Sequence, residues 1–303
     1  MTSPRGLATA TGWVIGAAVV AFAGTAIAGS ALDLLYERTL MTAADQRCRL
    51  FEPAVGAALD ASRAQARGAS LRSGAGSAAV GDTERRARSR AAATPCGSKD
   101  MTVAADRVRL AFKGYAKLSR MTWPGDTADW RGDRTVTRKG PLWRLSQAAS
   151  FGPDRMIFGL AGEEAPGTLQ TAAAFADGRT PYAARLVLRD VARAPEPYLN
   201  RGRAGPGGKL PLQARTPPPG ATRAITADAR SEAPERLRPA GTRRALLFRF
   251  PARAVDALAG LDPREAVAVE FVFSGPRGDE VRRAYIEVGD FAAGRAFVRI
   301  PVL

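Results

Sequence analysis

Val267-Ala268-Val269-Glu270-Phe271-Val272-Phe273 sets a large apolar side chain at every second position, the period of a strand with one face turned to a core. The same alternation recurs at Leu246, Phe248 and Phe250, at Ala284, Ile286 and Val288, and at Ala296, Val298 and Ile300. Four such runs separated by turn residues predict an antiparallel β segment over residues 240–303. Pro251 to Leu261 reads as a short crossover helix within it, and Gly289 to Gly294 as the turn of the last hairpin.

Residues 195–239, upstream of that segment, are dense in Pro, Gly and Arg, with Pro217-Pro218-Pro219 at the centre. That composition predicts a linker or long loop. Residues 123–194 return to strand periodicity. Leu142-Trp143-Arg144-Leu145 and Met156-Ile157-Phe158-Gly159-Leu160 flank Gly152-Pro153-Asp154 as a hairpin would, and Arg185-Leu186-Val187-Leu188-Arg189 adds a further strand.

Residues 36–122 carry helical signals instead. Ser98 or Asp100 can cap a helix whose Val108, Ala111, Phe112, Tyr115 and Leu118 fall on one stripe. Trp123-Pro124-Gly125-Asp126 ends it, because proline and glycine continue a helix only at a cost. Residues 68–95, rich in Gly, Ser, Ala and Arg, read as a flexible loop between two helices.

Gly6 to Leu32 is 27 residues without charge or proline, with Trp13 placed as an interfacial anchor would be. A helix of that length spans about 40 Å, more than the roughly 30 Å of hydrocarbon in a bilayer. Residues 1–35 therefore read as a transmembrane anchor. A cleaved signal peptide is the alternative, with Ala26-Ile27-Ala28 or Gly29-Ser30-Ala31 as the small-residue cleavage site. Gly12 and Gly16 begin a small-residue row that can pair helices.

The fold class expected from these segments is α+β: an N-terminal transmembrane or signal helix, a helical hairpin neck, and a C-terminal antiparallel β-rich, sandwich-like domain. A helix-covered sheet is the competing architecture.

Orientation draws on two opposed signals. Arg38, Arg47 and Arg49 follow the apolar run and, by the positive-inside rule, favour a cytoplasmic C-terminal domain. Cys48 and Cys96, the only cysteines, each lie beside the end of a predicted helix. A bond between them would tie the two helices into an antiparallel hairpin and implies an oxidising compartment; two unrelated thiols are the bland reading. Weighing these favours export: an inner-membrane, single-pass protein with a periplasmic C-terminal domain, or a secreted or periplasmic one after cleavage.

The net charge of +16 invites a nucleic-acid reading, but only five of the 45 basic residues are lysine and Asn200 is the sole asparagine. That skew has the look of coding bias, so part of the charge is compositional. The chain has no histidine, which excludes Ser-His-Asp and Cys-His catalysis and His-ligated metals. Gly202 to Lys209 superficially resembles a phosphate loop, yet Arg203 and Leu210 occupy positions that need Gly and Ser or Thr.

Carboxylates are left as the plausible catalytic groups. Asp126, Asp129 and Asp133 cluster in sequence with Trp123 and Trp130. Acids beside aromatic platforms suit a carbohydrate site, whereas Asp at turns and Trp in a core is the structural reading. Glu287 and Asp290 flank the expected last turn, and two carboxylates are too few for calcium.

Trp123, Asp126, Asp129, Trp130 and Trp143 are accordingly the candidate ligand surface, Cys48 and Cys96 the candidate disulfide, and no catalytic residue, cofactor or metal is assigned. The expected role is non-catalytic binding or scaffolding in a bacterial-type envelope. The partners expected are the membrane through residues 6–32 and an anionic envelope polymer, lipid headgroups or another envelope protein. The alternatives are a carboxylate-dependent glycan hydrolase or lyase and, if the domain faces the cytoplasm with free thiols, a nucleic-acid binder.

Overall fold

The computed structural model describes residues 25–137, 139–199 and 210–301, with side chains from residue 31 onward. The chain is α+β, with six helices and two antiparallel sheets among the described residues. Most of the apolar run lies outside them, as does the Gly202 to Lys209 motif. No helix among the described residues is long and apolar enough to cross a membrane.

Four helices come first: α1 (Thr25–Cys48), α2 (Pro53–Arg72), α3 (Ser77–Ala93) and α4 (Lys99–Tyr115). Pro53 starts α2, at the position where its missing N–H costs nothing. Ser98 caps α4 by accepting the Met101 amide at 3.3 Å. Helix α1 packs against both α2 and α3, so the neck is a four-helix layer, not a hairpin.

The loop expected at 68–95 is replaced by the end of α2 and the whole of α3. Val80, Thr83, Ala87 and Ala91 make a narrow buried stripe along α3. Glu84 faces Arg63, Arg67 and Arg88 from its side of that helix. The small buried residues offer little hydrophobic contrast, while the arginines that dominate the composition sit in water.

Cys48 and Cys96 are bonded, with Cα atoms 5.6 Å apart. The bond joins the end of α1 to the connection between α3 and α4. Arg47 reinforces the same corner by donating to the carbonyls of Ala92, at 2.7 Å, and Thr94.

The seven-stranded sheet runs in the order β1 (Arg120–Trp123), β2 (Trp130–Asp133), β3 (Leu142–Phe151), β4 (Asp154–Gly162), β5 (Thr168–Ala174), β9 (Leu246–Arg249), β8 (Ala229–Glu232). The four-stranded sheet runs β11 (Gly278–Glu287), β10 (Ala266–Gly275), β6 (Ala183–Arg189), β7 (Thr222–Thr226). Strands β7 and β8, with three short 3-10 turns, occupy the stretch expected to be a linker at 195–239. Leu237 and Ile225 are its buried anchors. Their neighbours are Arg, Thr and Pro, which hide the strand period.

The sheets meet through aromatic rings. Phe271 of β10 stacks on Phe151 of β3 at 5.5 Å and approaches Phe248 of β9 at 5.7 Å. Burying each ring is worth roughly 1.5–3 kcal/mol. The alternating set Val267, Val269, Phe271 and Phe273 all join this core, as the period predicts.

Helix α5 (Arg253–Ala259) is the expected crossover. The expected last strand is instead α6 (Phe291–Val298). Phe291, Gly294, Phe297 and Val298 form its buried face, a helical period that overlaps the alternation read at Ala296, Val298 and Ile300. Gly294 lies so close to Leu145 that a Cβ would come within 2.5 Å of its side chain. This lets α6 settle on β3 while its other contacts reach α2, α5 and β2.

Candidate functional site

The segment Trp123 to Asp133 divides between interior and surface. Trp123 and Trp130 are each 1% exposed. Trp123 packs edge-on against Phe297 at 5.5 Å, and Trp130 against Phe291 at 5.2 Å. The Trp130 indole N–H donates to the carbonyls of Glu287 and Val288 at 3.1 Å. Trp143 is half-buried and donates to the Leu237 carbonyl at 3.1 Å. Neither Trp123 nor Trp130 offers a ring face to a ligand; both lock α6 and the end of β11 to the large sheet.

The three aspartates do not converge. Asp133 accepts the Thr135 amide at 2.7 Å and pairs with Arg120 at 2.9 Å. Asp126 pairs with the buried Arg215 at 2.9 Å. Asp129 lines a groove, described below.

A residue that sequence reasoning placed only beside a turn organises this region. Glu287, 4% exposed, accepts the amides of Asp126 at 2.8 Å and Thr127 at 3.2 Å through one carboxylate oxygen. Its own amide donates to the Gln147 side-chain oxygen at 3.0 Å, and Gln147 in turn donates to the Ala128 carbonyl at 3.0 Å. Burial pushes the Glu287 carboxyl above its usual range, against the pull of those two amides and of Arg215. The network clamps the 124–129 loop onto the end of β11. An isolated Glu at a strand end carries no sequence signal for this role.

An open groove of about 1550 Å³ runs beside the clamp. One wall is the continuous stretch Ser146–Phe151 of β3 and the start of β4; the facing wall carries Arg282, Arg283 and Tyr285 of β11. Residues 211–213 and 239–240 close its rim. Arg131 and Arg155 are exposed in it.

Two of the groove's three aspartates, Asp154 and Asp177, are bound to arginine. Asp154 is buried, accepts the Ala176 amide at 2.9 Å and pairs with Arg282 at 3.0 Å. The same guanidinium holds Asp177 and draws its carboxyl below the usual range. A general acid needs the opposite shift. No group of carboxylates and cysteines suited to a metal ion occurs among the described residues.

No protein-family model, curated protein or solved structure matches this chain.

Proposed function

We propose that this is a membrane-anchored envelope protein whose sandwich-like β domain binds a partner without catalysis, the anchor being residues 6–32. The observation that carries the binding role is the groove. It is wide and open, crosses from one sheet to the other, and exposes arginine while its aspartates at 154 and 177 are neutralised by Arg282. A net charge of +16 adds long-range attraction for an anionic partner.

The bonded Cys48–Cys96 pair supports an exported domain, since such bonds persist in oxidising compartments. It counts against a cytoplasmic nucleic-acid binder, which needs those thiols free. The separation of Asp126, Asp129 and Asp133 into different partnerships counts against a glycan hydrolase or lyase built on them.

Maleimide labelling of intact and lysed cells, with and without reductant, tests the address. Thiols reactive only after reduction, on a full-length chain, agree with the proposal; thiols that label without reductant once cells are opened overturn it. The charge double variant R131E/R155E tests the role. It should weaken binding of an anionic polymer such as polyphosphate to the full chain at least tenfold, and unchanged binding assigns the groove no part in it.

A further inference from the structure

The groove contains an unpaired strand edge. Strand β3 is paired with β4 from Leu142 to Phe151, but with β2 only at Leu145 and Ser146. Beyond Ser146 the side of β3 away from β4 has no hydrogen-bonded strand partner among the described residues; β11 of the other sheet approaches it through Gln147, and the space between them is the groove. In an antiparallel sheet alternate residues aim their N–H and C=O at the neighbouring strand. Gln147–Phe151 therefore turns backbone donors and acceptors into the groove over about 16 Å.

The open edge is built into the fold. The chain that would continue β2 alongside β3 turns away through Ala128, and Glu287 holds it there by the amides of Asp126 and Thr127. Gln147, fixed between the Glu287 amide and the Ala128 carbonyl, sits at the point of divergence.

The composition of the edge sets it apart. Outer strands of sheets are commonly guarded against pairing by charge or proline. Here β1 carries Arg120, β7 Arg223, β8 Arg230 and Glu232, and β11 Arg282 and Arg283. Gln147-Ala148-Ala149-Ser150-Phe151 carries neither charge nor proline, and Ala148 and Ser150 are exposed.

Charge defines the occupant. Arg131 lies opposite Ser146 across β2–β3, and Arg155 opposite Ser150 across β3–β4. Cross-strand partners share a face, so both arginines stand on the outer face that Ala148 also occupies, Arg131 on the side of the free edge and Arg155 on the β4 side, where it donates to the Ala240 carbonyl at 3.1 Å.

From these observations we infer that the free edge of β3 takes an extended, acidic segment of a partner protein as an added strand. The segment's backbone pairs with Gln147–Phe151, and acidic side chains at alternate positions on the outer face meet Arg131. Added strands of this kind draw affinity from main-chain hydrogen bonds and specificity from alternate side chains. The inference rests on the proposed binding role of the same groove and narrows its partner from any polyanion to a polypeptide.

The test uses the full-length chain in detergent and four octapeptides followed by fluorescence anisotropy. One alternates glutamate and threonine, one replaces glutamate by lysine, and two are N-methylated on alternate residues of the glutamate peptide in opposite phase. The glutamate peptide should bind saturably, the lysine peptide at least tenfold more weakly, and one methylated phase should lose at least tenfold while the other keeps its affinity. Equal affinity for both phases, or no saturable binding of the glutamate peptide, overturns the inference. Polyphosphate separates the two levels: if it binds where the peptide does not, the anionic groove stands and the added strand falls. If neither binds, both fall.

Discussion

Arg189 and Glu265 form a two-pronged ion pair inside the protein, Nε to Oε2 at 2.7 Å and a terminal nitrogen to Oε1 at 2.8 Å, with side chains 4% and 0% exposed. The remaining Arg189 prong donates to the carbonyls of Ala194 and Pro195, and Glu265 also accepts the Asp262 amide at 2.9 Å. The pair fastens the chain leaving β6 to the turn entering β10. Removing one partner strands a buried charge, so Glu265→Ala and Arg189→Ala should each cost about 3–5 kcal/mol. Replacing both by Leu and Met should cost less than the sum. Unfolding midpoints of the three variants check this, and additive losses would show that the charges do not depend on each other.

The Cys48–Cys96 bond closes a loop with a sequence separation of 48 residues. Reduction, or Cys→Ser at both positions, should lower stability by about 4 kcal/mol through the unfolded chain's greater freedom. The loss should be local. Hydrogen exchange should speed up in α1–α4 while β10 and β6, which lie outside the loop, keep their protection. Uniform acceleration across both sheets would mean that the helical layer and sheets unfold as one unit.

Where sequence periodicity is clear it reports which residues face the core, and where two periods overlap it chooses wrongly. The turn at Gly152-Pro153 and the inward faces of β10 and β11 follow directly from alternation and turn chemistry, because large β-branched and aromatic residues give high contrast. In α3 the buried stripe is Val80, Thr83, Ala87 and Ala91, too small to stand out against its arginines. In α6 both a helix and a strand fit the same short run, and the deciding contact, Gly294 against Leu145, joins positions far apart in sequence. The tryptophans are legible as a cluster, with core packing as the structural reading, and Trp123 and Trp130 follow that reading rather than the ligand-facing one. The groove edge is not legible at all, since it exists only because β2 is shorter than β3.

Gly159 sits opposite Ser146 in the β3–β4 ladder with φ of 152°. A Cβ there would come 1.9 Å from the Leu145 carbonyl oxygen, which is backbone and cannot swing away. Only glycine combines that conformation with that approach. Gly159→Ala should therefore cost more than about 4 kcal/mol, the range reserved for broken backbone geometry or cores. Gly152→Ala is the control: its φ of 62° is also positive, but nothing lies within 4 Å of the new methyl. If both variants shift the unfolding midpoint equally, the close approach is not what forbids a side chain at 159.

Glu287 and Asp290 make a pH-dependent contribution of opposite sign to the surface acids. Burial is the main cause raising both carboxyls, opposed at Asp290 by Arg72 and at Glu287 by the Asp126 and Thr127 amides. Above the ordinary values of 4.5 and 3.8 the unfolded chain releases these protons before the folded one does. The native state then holds more protons, so this contribution to stability falls as pH rises through that window. Asp177, held low chiefly by its bond to Arg282, acts the other way, and its contribution is lost as pH drops below 3.8. Glu287→Gln with Asp290→Asn should flatten the slope of stability against pH above the ordinary carboxyl value of 4.5, while leaving in place the acid limb to which Asp177 contributes. The amide side chain that Glu287→Gln introduces retains an acceptor for the two loop amides, so the fold should survive the change. Urea unfolding from about pH 2 to about pH 8 reads both limbs, and a variant that keeps the parent slope above about pH 5 would move its origin to carboxylates other than these two.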